Sequence, residues 1–192
     1  GAKARHESAF VPEPGGNAHA IELEEQINDF NRGIFVDGSP IRAPHTPFSY
    51  GVACYPEKHY EAPSMEEDLH WLKHKVEQGA DALISQLFFD NDAFYRFMDA
   101  ADQKGITVPV HAGIMPITNA KSLIRTTKMC GCTIPYQLST MIEAHYDNPE
   151  AMKEIGINYA AQQIIDLITN GVDGIHIYTM NRAETAQRVF DS

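Results

Sequence analysis

Four apolar runs in this sequence each end beside polar side chains suited to holding a ligand. Tyr55 closes the run 48–55, and His59 follows four residues on. Gln86 lies inside 82–89, the stretch 111–119 carries His111 and Asn119, and Tyr178 ends 174–179 ahead of Asn181 and Arg182. A buried amide without partners costs about 1–3 kcal/mol, so Gln86 calls for a partner, either backbone or ligand. Arg182 suits a carboxylate gripped by two parallel hydrogen bonds, or else a surface ion pair worth little. Tyr55 and Tyr178 suit stacking on a ring, although most buried aromatics only pack. Asp68, Trp71 and Lys75 recur on one flank of a helical stretch. An acid, an aromatic and a lysine there suit the ribose, base and phosphate of a nucleotide; the plain alternative is a solvated flank. His70 and His74 have the i,i+4 spacing of a metal pair, but no third ligand stands near them and no metal is expected. Cys130-Gly131-Cys132 has no second cysteine pair, so inert thiols are expected there. His111 reads as a hydrogen-bonded core histidine.

The elements that must position these residues follow a repeated pattern. Residues 1–16, with Pro12, Pro14, Gly15 and Gly16, read as an extended segment, and 33–47 as a long loop. Between them Asn17 predicts a helix N-cap, with Leu23, Ile27 and Phe30 as the buried stripe of a helix to Asn31. From residue 48 the order becomes strand, helix, glycine, strand. Strands are predicted at 48–55, 82–89, 108–114 and 174–179. Ser64 and Glu67 form a capping box ahead of a helix whose core stripe is Met65, Leu69, Leu72 and Val76. Gly79, Gly105 and Gly171 fall where a left-handed residue closes each helix before the chain turns into a strand. At least two helices fill the longer gap between Gly105 and Gly171, and a last helix begins near Ala183.

Such units predict a parallel sheet, its strands adjacent and in chain order, with helices on the outer face. No glycine-rich dinucleotide fingerprint follows any strand, so a Rossmann fold has little support. The expected class is α/β, one domain over 1–192. Four units are half of a (βα)8 barrel, which takes about 250 residues; an open α/β sheet is the alternative. In both, ligands bind at the carboxyl ends of the strands, which selects the residues named above.

Composition narrows the function. The chain has 192 residues, 26 acidic against 15 basic, and a formal charge of −11. That excess disfavours nucleic acid or an anionic membrane surface as partner. No apolar run approaches the roughly 20 residues of a membrane helix, and no signal-peptide h-region is read behind the start Gly1-Ala2-Lys3-Ala4-Arg5-His6. Three cysteines, Cys54, Cys130 and Cys132, are too few and odd in number for a disulfide framework, so a cytoplasmic location is expected. The unpaired edges of a half-barrel make a homo-oligomer the expected state. An aldolase-type barrel would need a Schiff-base lysine at a strand end, and none stands there.

Several of these stretches together resemble methylenetetrahydrofolate reductase. They are Ala53-Cys54-Tyr55-Pro56-Glu57-Lys58-His59 with Glu61-Ala62-Pro63, Asp68 and Lys75; Ser85-Gln86-Leu87-Phe88-Phe89-Asp90; Gly113-Ile114-Met115-Pro116-Ile117; and Tyr178-Thr179-Met180-Asn181-Arg182-Ala183-Glu184. The likeness runs in order from about Phe10 to the end. It implies a (βα)8 barrel flavoprotein that passes a hydride from NADH or NADPH through FAD to 5,10-methylenetetrahydrofolate, yielding 5-methyltetrahydrofolate for methionine synthesis. By motif, His19, Ala20, Tyr55, His59, Asp68, Trp71, His74 and Lys75 would surround FAD. Gln86, Tyr178 and Arg182 would meet the folate substrate, Gln86 at the pterin and Arg182 toward the benzoyl-glutamate end. Two positions depart from the family pattern: His74 stands where arginine is common, and Ser122 replaces a glutamine that helps hold folate. The family's proton-donating glutamate and its Leu-Arg-Gly-Asp strand end match nothing in this chain. The resemblance therefore implies about the last four βα units, with no catalytic residue among them; a flavin- and folate-binding or assembling half-barrel is the alternative.

Overall fold

The computed structural model describes residues 11–43 and 45–192; most of the expected extended segment 1–16 thus lies outside the described residues. Its elements run α1 (Ala20–Asn31), β1 (Gly51–Cys54), α2 (Met65–Glu77), β2 (Ala82–Ser85), α3 (Asn91–Gln103), β3 (Val110–Ile114), α4 (Ala120–Cys130), α5 (Tyr136–Ala144), α6 (Pro149–Thr169), β4 (Gly174–Ile177) and α7 (Ala183–Phe190). The strands form one parallel sheet in the order β1-β2-β3-β4. This is the predicted α/β architecture, with chain order equal to spatial order.

Alternation along the strands assigns the two faces. Val52, Cys54, Leu83, Val110, Ala112 and Ile114 are buried, whereas Gly51 and Ala53 are exposed and Ile84 and His111 half-buried. The buried set joins Leu69, Leu72, Phe94, Phe97, Ile157 and Leu167 in the main core beneath the helices. A second cluster, with Leu87, Phe89, Ile117, Leu123, Leu138 and Met152, lies at the carboxyl end of β2 and β3 under α4, α5 and α6. His111 belongs to the half-buried face, where no side-chain hydrogen bond holds it among the described residues, and not to the helix-covered core.

The strands are shorter than their apolar runs. Leu87, Phe88 and Phe89 are buried but leave the ladder after Ser85. Phe88 stacks on Phe94 with ring centroids 5.0 Å apart. Hydrophobicity there reports core packing and not strand pairing. The region 33–47 is a long loop, with one antiparallel bridge between Ile34 and Pro40 among its described residues.

At α1 the expected cap and stripe are both displaced. His19, not Asn17, is the N-cap, and the Glu22 carboxylate accepts from the His19 N–H at 3.3 Å. Asn17 instead donates its amide to Gln26. Leu23 stays 48% exposed, while the buried position is Glu24, 2% exposed. Docking decides this: Asn28 Nδ2 donates to the Gln78 carbonyl at 2.8 Å, and Tyr50 Oη donates to the same carbonyl at 3.1 Å. Glu24 lies one turn before Asn28, on the face so pinned.

Candidate functional site

Ser64 caps α2 by accepting from the Glu67 N–H at 3.1 Å. The reciprocal half of that box does not form, because the Glu67 carboxylate accepts from Trp71 Nε1 at 3.1 Å. Trp71 is thereby held half exposed, its ring edge-on to His70 and His74. The same flank of α2 meets the end of β1. Lys75 Nζ donates to the Ala53 carbonyl at 2.8 Å, and Asp68 Oδ2 accepts from the His59 N–H at 2.8 Å. The Tyr55 ring packs edge-on to His59 at 4.6 Å. Tyr55, His59, Asp68 and Lys75, spread over 20 residues, thus meet at the carboxyl end of β1. His19 and Ala20 are exposed at the start of α1, one turn ahead of Glu24.

The loop that carries Tyr55 and His59 is under tension. Lys58 has φ +80°, in the left-handed region, and its Nζ donates to the His59 carbonyl at 2.9 Å. Met180 (φ +49°) and Asn181 (φ +60°) hold the same conformation after β4. Among the described residues these three are the non-glycine positions with positive φ, and they occupy the two loops that carry site motifs. Such strain costs of order 1–3 kcal/mol per residue and persists where surrounding contacts over-determine it.

Gln86 and Tyr178 meet around Ser85. The Gln86 N–H donates to the Cys54 carbonyl at 2.7 Å, and its Oε1 accepts from the Leu87 N–H at 2.9 Å. Tyr178 Oη donates to the Ser85 carbonyl at 2.9 Å. Ser85, fully buried, accepts from the Gly113 N–H at 2.8 Å and donates to the Gln86 carbonyl at 3.0 Å. Gly113 lets the Tyr178 ring cross the sheet: a Cβ there would stand 2.2 Å from the Ser85 carbonyl and 2.8 Å from the ring. Ser85 and Gly113 were not selected as site residues from the sequence. Their signal was a hydroxyl inside an apolar strand and a glycine inside another.

Beyond Tyr178, a cavity of about 280 Å³ opens at the carboxyl ends of β3 and β4, with Met115, Asn119, Ser122, Tyr178 and Arg182 on its walls. Arg182 is exposed, and Nη1 donates to Thr118 Oγ1 at 2.7 Å.

Burial governs the site's protonation. It pushes the Tyr55 hydroxyl up, with the Asp68 charge adding to it, and pushes Tyr178 up. It drives the Cys54 thiol to about 12 and Cys132 to about 12, well away from the reactive thiolate. The Lys75 ammonium is pulled down by burial, against the opposing pull of Glu24 and Asp68. The nearest loop carboxylates are spent locally: both Glu57 oxygens accept from the Thr133 N–H at 3.0 Å, and Asp90 caps α3.

A four-stranded parallel sheet in chain order, with helices packed on it and polar side chains at its strand ends, defines an α/β protein of the barrel type. Residues 13–192 match the family model described as methylenetetrahydrofolate reductase, and the chain belongs to that family, whose fold is a TIM barrel. It is 36% identical over 186 residues to a probable methylenetetrahydrofolate reductase (NADH) of Oryza sativa subsp. japonica, covering 92% of this chain and 29% of the relative. A methylenetetrahydrofolate reductase (NADH) 1 of Arabidopsis thaliana is 37% identical over 181 residues, with the same shares. A 5,10-methylenetetrahydrofolate reductase of Escherichia coli (strain K12) is 38% identical over 142 residues, 74% of this chain and 48% of the relative. The chain thus spans under a third of the plant relatives and about half of the bacterial one. Among solved structures, an uncharacterized protein from Clostridium thermocellum that binds two copies of 5-methyl-5,6,7,8-tetrahydrofolic acid shares the fold. Its TM-score is 0.51 at 16% identity, over 76% of this chain and 52% of that one.

Proposed function

We propose that this chain is the FAD- and folate-binding portion of a methylenetetrahydrofolate reductase that converts 5,10-methylenetetrahydrofolate to 5-methyltetrahydrofolate. The observation that carries this reading is the meeting of Tyr55, His59, Asp68 and Lys75 at the end of β1, next to Gln86 and Tyr178. The residues present suit FAD. Lys75 spends one ammonium donor on Ala53 and keeps two for phosphate oxygens. Asp68 gives one oxygen to His59 and keeps the other for a ribose hydroxyl. Gly51 and Ala53 leave the adjoining sheet face open, and Tyr55 offers an aromatic face. His19, Ala20, Trp71 and His74 form the outer rim of this reading.

When bound, FAD supplies the hydride relay between a reduced nicotinamide and the folate. The names of the plant relatives favour NADH as donor. Gln86 would orient the pterin. Arg182, turned from Thr118, would meet the benzoyl-glutamate carboxylate in the cavity. Opening the bridged folate ring needs a proton on one of its nitrogens, and a positioned acid contributes typically 10²–10⁴ in rate. Glu57 and Asp90 are engaged in local structure, and burial raises the tyrosines further from use as acids. We therefore assign binding to these 192 residues and the proton to a group outside them. The product would feed methionine synthesis in the cytoplasm. No strand among the described residues pairs with the outer edges of β1 and β4, which favours a homo-oligomer. Among the described residues no helix is long and apolar enough to cross a membrane.

The test is a flavin-reoxidation assay on the chain loaded with FAD, reduced anaerobically with NADH or dithionite, and then given methylenetetrahydrofolate. Retention of FAD and folate with only marginal reoxidation is expected. Turnover near that of a complete reductase would overturn the assignment of the proton, and failure to retain FAD would overturn the binding assignment.

A further inference from the structure

Among the described residues the least comfortable charge is Glu24. It is 2% exposed, and neither carboxylate oxygen has a hydrogen-bond partner among the described residues. Burying a carboxylate this way is costly, and helix α1 has exposed positions on either side where a glutamate would cost nothing. The face of α1 that carries Glu24 is pinned by Asn28 to the Gln78 carbonyl and by Tyr50. Glu24 therefore points between α1 and α2. There it faces Lys75 and His74 of α2, whose charges act on it, and Tyr50 ahead of β1. Asp68 and Cys54 face Lys75 as well. The ammonium itself is tied to the Ala53 carbonyl, so it sits between a buried carboxylate and the end of β1.

We propose that Glu24 is a counter-charge built against Lys75, which weakens the grip of the β1 groove on the diphosphate of FAD while ionised and strengthens it when protonated. The proposal rests on the reading that Lys75 meets that diphosphate. Two anions then act on the same ammonium, Glu24 without a hydrogen bond to it, and like charges near one cation disfavour each other's ionised form. By linkage the effect is reciprocal: bound diphosphate promotes proton uptake by Glu24, and a proton on Glu24 promotes diphosphate binding. Burial already favours the protonated carboxyl.

The experiment measures FAD affinity of the full chain by quenching of flavin fluorescence from pH 5 to pH 8, in the parent, E24Q, E24V and K75A. At pH 8, E24Q and E24V should bind FAD about tenfold more tightly than the parent, within the 5–150-fold range of typical site–site coupling. As pH falls toward 5 the gap between the parent and the two Glu24 variants should narrow, because burial favours the protonated carboxyl. Riboflavin, which has no phosphate, should bind the parent and E24Q alike, and FAD binding to the parent near neutral pH should take up protons from the buffer. Equal affinities and equal pH profiles in the parent and both Glu24 variants overturn the counter-charge, even where K75A weakens binding and the phosphate reading stands. K75A without effect overturns the phosphate reading and this proposal with it. Absence of FAD binding in the parent and both Glu24 variants overturns it too.

Discussion

The two ends of the candidate site are built by opposite means. Around β1, Tyr55, His59, Asp68 and Lys75 come from one βα unit, and charge dominates: an ammonium, a carboxylate and a second, buried carboxylate from α1. Around β3 and β4, the contacts span the chain and are mostly neutral. Tyr178 reaches back 93 residues to Ser85, Arg182 reaches 64 residues to Thr118, and glycines set the clearances. The first end depends on electrostatics that a change of pH or one charge can retune. The second depends on steric fit, where a single methyl group decides.

The sharpest break should come at the steric end. Gly156 of α6 lies so close to the loop after β3 that a Cβ would stand 1.6 Å from the Ile117 carbonyl. G156A should cost about 3 kcal/mol or more, above the usual 1–3 kcal/mol of overpacking, because the obstacle is backbone. Urea denaturation would show it as a fall in midpoint, with the second core cluster loosened first. At the charged end, K75A should weaken FAD retention by roughly 1–3 kcal/mol, the range for a lost charge-assisted bond. Gel filtration followed by flavin absorbance measures it; unchanged retention would remove Lys75 from the site.

Smaller effects sharpen the contrast. E24Q should stabilise the folded chain by about 1 kcal/mol at pH 8, because burial disfavours the charged carboxyl and raises its folded-state pKa. The sign follows from proton counting. Between the unfolded and folded pKa the native state holds more protons, so stability falls as pH rises through that window. The advantage of E24Q should therefore shrink as pH falls toward the ordinary carboxylate range. Thermal melts at pH 8 and pH 4.5 compare the two. Least, Y178F should cost about 0.5–1.5 kcal/mol for the bond to Ser85, the same at both pH values. A pH-dependent Y178F effect would blur the distinction between the two ends.

Much of this was legible in the amino-acid order because the physics is local. The helix start at Ser64, and the glycine stops at Gly79, Gly105 and Gly171, depend on cap chemistry and a left-handed backbone within a few residues. Parallel order followed from strand and helix alternation. The cluster from Tyr55 to Lys75 was accessible for the same reason, since one strand, one loop and one helix place it.

Tertiary packing alone decided the rest. Periodicity put Leu23, Ile27 and Phe30 on one stripe of α1 but could not say which face would dock; the contacts of Asn28 and Tyr50 turned Glu24 inward instead. Apolar runs did not mark strand ends, because Leu87, Phe88 and Phe89 are buried by helices after the ladder stops. Ser85 and Gly113 gained their roles only when β2, β3 and the end of β4 came side by side. Local order is written in short-range backbone preference, whereas facing, clearance and burial of charge depend on distant segments brought into contact.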